Sequence, residues 1–183
     1  MAELYPGLHN DAVKKRHMRY ARALVDEGFG FDMLVDEGRA GVEALVRNAL
    51  DLPEFRLAAQ ASGLVARTAD GTLAAVAIVS AVSYDNGTAL FVRALATAED
   101  FRSKGLATVL LGLLPQILPQ AGLPTRALLT GACPETRASF LHRAGFVVLE
   151  PGDPSPYSFG GIEEDLLDTT DPADRCWFFR DVQ

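Results

Sequence analysis

The chain has 183 residues, 49% of them hydrophobic and 22% charged, which suffices for one domain with its own core and excludes wholesale disorder. A net charge of -7 and a pI near 4.9 argue against a nucleic-acid binder held by phosphate contacts. An acidic surface instead suits cationic small molecules and basic partners.

The N-terminal stretch "MAELYPGLHNDAVKKRHMRY" has no apolar core behind a basic start, so no secretory signal is expected. The longest apolar runs, Leu73 to Val82 and Gly105 to Leu118, are too short to span a bilayer, and the second contains proline. Two cysteines, Cys133 and Cys176, form no C-x-x-C motif and no disulfide framework, so reduced thiols are expected. The expectation is a cytoplasmic protein without a membrane or nucleic-acid partner. No repeat or linker divides the chain, so 1–183 reads as one domain. It has a helical part over 1–60, a core over 61–150, and an acidic loop with a final strand over 151–183.

"DAVKKRHMRYARALVDEG" places Val13, Met18, Ala21, Leu24 and Val25 at helical spacing, with Gly28 as a stop. "GRAGVEALVRNAL" predicts a second helix with Val42, Leu45, Val46 and Leu50 on one side. Between them, "FGFDMLV" fits a short strand or a loop. Asp70-Gly71 and Asp85-Asn86-Gly87 then separate three apolar runs, because both pairs tolerate positive φ in tight hairpin turns. Three consecutive antiparallel strands follow from that reading. An apolar helix runs on to about Gln120, kinked or ended early by Pro115 and Pro119. "TRALLTG" predicts a strand, "PETRASFLHRAG" a helix, "FVVLEP" a strand and "RCWFFRDV" a last strand. The fold class is mixed α/β, or α+β: a sheet with helices on its faces.

The stretch "FRSKGLATVL", Phe101 to Leu110, sits between the third strand and the long helix. The first amides of a helix lack intrahelical acceptors, and the macrodipole makes that end attractive to anions. Gly105 and Ala107 permit close approach, while Arg102 and Lys104 add positive charge. A surface loop with solvated basic residues fits the same letters.

Arg102-x-x-Gly105-x-Ala107 matches the (Gln/Arg)-x-x-Gly-x-(Gly/Ala) signature of the GCN5-related N-acetyltransferases (GNAT), and "ASFLHRAGFVV" resembles that family's fourth helix with its closing Gly-Phe, here Gly145-Phe146. The resemblance covers about Gly63 to Glu150, and Arg175 to Val182 fits the last strand. It implies a mostly antiparallel sheet splayed between the fourth and fifth family strands. It also implies acetyl-CoA as donor, with pantetheine on Leu95, Ala96 and Thr97 and pyrophosphate on the amides of Arg102, Ser103, Lys104, Gly105, Leu106 and Ala107. The activity it implies is direct acetyl transfer to an amine of a small molecule or peptide; a homodimer is left open.

No catalytic residue is assigned. Leu141 stands where the family often has a tyrosine that reprotonates the departing thiolate, and Glu135 stands where an asparagine is often found. Ser139 and His142 point along other helical directions. His9, His17 and His142 have no metal-ligand spacing, and His9 and His17 read as solvated or capping groups. Cys133 reads as a half-buried structural thiol and Cys176 as part of a packed strand. Glu99 and Asp100 fit a solvated turn or an amine-binding pair. Tyr84 and Asp85 read as turn chemistry. Glu163, Glu164, Asp165 and Asp168, near Tyr157 and Phe159, fit either a solvated loop or an acidic wall for a cationic acceptor.

Overall fold

Asn10 starts the first helix by accepting the amides of Ala12 and Val13 with its side chain, at 3.0 and 3.2 Å. This helix, α1 (Asp11–Asp26), ends before Gly28, whose φ of 89° supplies the expected stop. The structure is a computed structural model and describes residues 8, 10–85, 87–123, 126–159 and 171–182. Val13, Ala21 and Leu24 are buried as the spacing predicts, but Val25 is 59% exposed. His17 is fully buried, which corrects the reading of it as a solvated or capping group. It lies one turn on from Val13, on the helix face that meets the core.

The undecided "FGFDMLV" contains a strand, β1 (Gly30–Met33), paired antiparallel to β2 (Ser62–Arg67). Between them, α2 (Arg39–Leu50) buries Val42 and Val46, while Leu50, its last residue, stays 37% exposed. β3 (Leu73–Tyr84) and β4 (Gly87–Thr97) complete the three antiparallel strands. The long apolar helix breaks as its prolines require: α3 (Leu106–Leu113), a 3-10 turn over Leu114–Gln116, then α4 (Ile117–Gln120). β5 (Ala127–Pro134), α5 (Glu135–Arg143), β6 (Val147–Val148) and β7 (Arg175–Val182) follow. The strand expected over "FVVLEP" is therefore only two residues long. Leu149 and Gly152 still donate to the Trp177 and Arg175 carbonyls of β7, at 2.8 and 3.0 Å, but Pro151 has no amide to give and the regular ladder stops.

Among the described residues, seven strands form one sheet in the order β1-β2-β3-β4-β5-β7-β6. Only the β4–β5 neighbours run parallel. The connection through α3 puts that helix on one face, where α1 and α5 join it over Leu64, Ala75, Ala77, Leu90, Val92, Leu129 and Phe178. α2 covers the other face over Val65, Val76, Ile78, Ala94 and Ala96. The even-numbered residues of β4 serve first one core and then the other, because Arg93 is an extra residue between the pairs Ile78–Ala94 and Val79–Val92. Val92 therefore faces α3, and Ala94, two residues later, faces α2.

Candidate functional site

β4 and β5 pair only at Ala89–Leu128, Leu90–Leu129 and Phe91–Thr130. Beyond that point β4 continues to Thr97 on β3, and β5 continues to Pro134 on β7. The two strands splay, and a gap opens between Val92–Thr97 and Gly131–Pro134. The amide of Ala98 donates to the carbonyl of Ala74 at 2.9 Å. Backbone groups alternate sides along a strand, so the peptide groups of Leu95 and Thr97 turn toward the gap. Ala96 is buried against the α2 side.

At the open end of the gap, Glu99–Phe101 form one 3-10 turn and the chain then loops into α3. Ser103 and Gly105 both adopt positive φ, 64° and 92°. Val109 is the first residue of α3 whose amide reaches back, to the Gly105 carbonyl at 3.0 Å. The amides from Ser103 to Thr108 have no backbone acceptor among the described residues. They form a run of backbone donors at a helix N-terminus, chemistry that matches a diphosphate.

The expected cradle residues divide by role. The Arg102 amide already donates to the Glu99 carbonyl at 3.2 Å, so it belongs to the turn before the cradle. The Arg102 side chain is exposed. The Lys104 ammonium pairs with Glu27 at 2.7 Å and lies 5.8 Å from the Phe29 ring centroid. Leu106 is buried in the core and anchors the helix start. Gly105 is constrained twice: by its φ and by Tyr20, because a Cβ there would stand 2.7 Å from Tyr20 Cγ and Cδ1.

On α5, Leu141 is buried and Glu135, Ser139 and His142 are exposed. The position of the usual acid thus holds a core side chain. Cys133 and Cys176 face each other across β5 and β7 as reduced, buried thiols, which the sequence spacing could not reveal. Burial, followed by the nearby Glu135, pushes the Cys176 thiol up, away from thiolate chemistry. Glu163, Glu164, Asp165, Asp168 and His9 lie outside the described residues. Tyr84 does more than turn the chain. It joins an aromatic group on the α2 face with Tyr157, Phe159, Phe91 and Trp177, at centroid separations of 5.4 to 6.4 Å. Alternation in "RCWFFRDV" places Trp177 and Phe179 on this face, which was the available signal.

Arg180, on the opposite face of β7, is buried beneath α1. Its Nη1 and Nη2 donate to the carbonyls of Ala144 and Leu111, both at 3.1 Å, and its guanidinium lies 4.5 Å from the Phe146 ring centroid. Leu111 needs this donor, because the residue four positions on is Pro115. Burial, and next the Arg180 charge, hold the His17 imidazole down to about 4, outweighing its bond to the Ala144 carbonyl.

The gap, the cradle and the distal Gly145-Phe146 pair occur in the order expected from the resemblance. Residues 32–146, more than half of the chain, match the model of the acetyltransferase (GNAT) family. The chain belongs to the GNAT acetyltransferase family. GNAT folds recur among similar solved structures. A putative N-acetyltransferase from Lactobacillus plantarum superposes with a TM-score of 0.59 at 13% identity, covering 85% of this chain and 99% of that one. The ribosomal-protein-S18-alanine N-acetyltransferase of Escherichia coli gives 0.55 at 15% identity, over 85% and 94%. The GCN5-related glucosamine N-acetyltransferase region of a fungal multi-domain GH3 β-N-acetylglucosaminidase gives 0.54 at 14% identity over 68% of this chain, which spans only 17% of that one. At these identities the likeness is one of fold. No curated protein sequence matches the chain. Among the described residues, no helix is long and apolar enough to cross a membrane, and no group of three or more His, Cys, Asp or Glu residues is arranged to hold a metal ion.

Proposed function

We propose that this GNAT protein transfers an acetyl group from acetyl-CoA directly to a primary amine. One observation carries the reading: β4 and β5 separate after Phe91 and Thr130, beside a helix N-terminus whose amides are free to take a diphosphate. Leu95, Ala96 and Thr97 would pair with the pantetheine arm, Leu95 and Thr97 through peptide groups turned to the gap. Ser103, Gly105, Leu106 and Ala107 would hold the pyrophosphate through amides, with Arg102 and Lys104 adding charge at the rim.

In the reaction a neutral amine nitrogen attacks the thioester carbonyl, the C–S bond breaks, and the nitrogen loses a proton while the thiolate gains one. Leu141 supplies no proton, so water reprotonates the thiolate in this reading. The acceptors named for two similar structures, glucosamine and an alanine of ribosomal protein S18, differ from each other, so the shared fold supports amine acetylation without selecting a substrate. Titration calorimetry with acetyl-CoA tests the donor; no heat at millimolar ligand removes the proposal.

Leu141 favours a second reading, a weakly active or inactive GNAT protein that binds CoA as a sensor or scaffold. A thiol-release assay across a panel of amines separates the two. Turnover with any amine eliminates the second.

A further inference from the structure

α1 carries five of the seventeen Lys and Arg residues of an acidic chain: Lys14, Lys15, Arg16, Arg19 and Arg22, with no acid between them. None of the five forms an ion pair with an acid among the described residues. A basic cluster on a protein of net charge -7 calls for an anion.

Four contacts fix where this cluster lies. Near the start of α1, Val13 touches Gly145, where a Cβ would come within 2.9 Å of Val13 Cγ1. One turn later Arg16 donates to the carbonyl of Arg143, at the end of α5. Another turn on, Tyr20 packs against Gly105 in the cradle, and beyond the helix end Glu27 holds Lys104. α1 therefore runs from the C-terminal end of α5 to the N-terminal end of α3. Lys15, Arg16 and Arg19, with Ala12, line a shallow hollow of about 350 Å3 on its outer side. The Arg19 guanidinium lies 5.4 Å from the centroid of the same Tyr20 ring that contacts Gly105. Arg19 at the edge of the hollow and Gly105 in the cradle thus contact the same aromatic ring.

We propose that Lys15, Arg16 and Arg19 form a subsite for the ribose 3′-phosphate of the CoA donor. This rests on the donor reading above. A CoA diphosphate in the cradle carries its phosphorylated ribose immediately outside it. A doubly charged phosphomonoester matches two or three convergent cations, whereas the backbone cradle is suited to the diphosphate. The subsite gives the protein a means of distinguishing CoA from its 3′-dephosphorylated precursor.

The test is titration calorimetry of acetyl-CoA against acetyl-dephospho-CoA, with wild type and the exposed double variant Lys15→Gln/Arg19→Gln, whose fold is checked by its melting temperature. Wild type is expected to bind acetyl-CoA roughly tenfold more tightly than the dephospho form. The double variant is expected to lose that preference by weakening acetyl-CoA alone. Arg16→Gln should shift in the same direction. Equal affinities in wild type overturn the subsite and leave the donor reading intact. A preference that survives the double variant also overturns it. Absence of binding by either ligand overturns both.

Discussion

The ring of Tyr20 rests against Gly105, so α1 touches the residue on which the loop into α3 turns. This contact makes the shape of the cradle depend on the seating of α1, which is also held by Val13, His17 and Glu27.

Gly105→Ala should cost on the order of 2–4 kcal/mol, combining a left-handed φ with overpacking. The colliding atoms are at the root of the Tyr20 side chain, which cannot swing aside without moving α1. Adding Tyr20→Ala should return the overpacking part and leave the backbone part. Urea denaturation of the single and double variants measures this; identical losses with and without Tyr20 would contradict the contact.

His17 should make the protein acid-sensitive. Its folded value of about 4 lies below the ordinary 6.5, so the unfolded chain takes up the proton first. Stability is then full above 6.5 and is lost as pH falls from 6.5 toward 4, by about 3 kcal/mol in all. Urea midpoints recorded across this range should slope in wild type and flatten in His17→Phe.

Arg180→Met should destabilise by on the order of 2–4 kcal/mol, because the Leu111 and Ala144 carbonyls lose their charged donors in a buried setting. Pro115→Ala supplies a new amide to Leu111, so it should recover part of the loss in the Arg180→Met background. Strict additivity in that double-mutant cycle would refute the pairing of Arg180 with the proline break.

The pair Glu27–Lys104 is exposed, and Glu27→Gln should change stability by less than about 1 kcal/mol. Releasing the Lys104 ammonium beside the cradle should instead tighten acetyl-CoA binding several-fold. Calorimetry of this variant reads the effect directly, and unchanged affinity would place Lys104 outside the donor site.

Local signals carried the order of the elements well. Asp70-Gly71 and the turn after Tyr84 marked the hairpins, Pro115 marked the helix break, and Gly105 marked the cradle, because each acts through its own backbone angles or missing donor. What escaped depends on distant partners. His17 has the letters of a surface histidine, and only the docking of α1 on α5 and β7 buries it. Cys133 and Cys176 are separated by more than forty residues and become neighbours through the register of β5 on β7. The pairing of Lys104 with Glu27 was equally hidden, because the docking of α1 brings the two together. The aromatic group on the α2 face escaped for the same reason, since it is drawn from four separate segments.

The bulge at Arg93 means that β4 is written in two frames. Up to Val92 its even-numbered residues pack under α3; from Ala94 on they pack under α2, and the odd-numbered peptide groups open onto the gap. A different side chain at 93 leaves both frames intact. Removing the residue would place Ala94 directly after Val92 and leave the two on opposite faces, so both cores would survive and only the local bend would be lost. At this position chain length, more than side-chain chemistry, bends β4 just past Phe91, where its pairing with β5 ends.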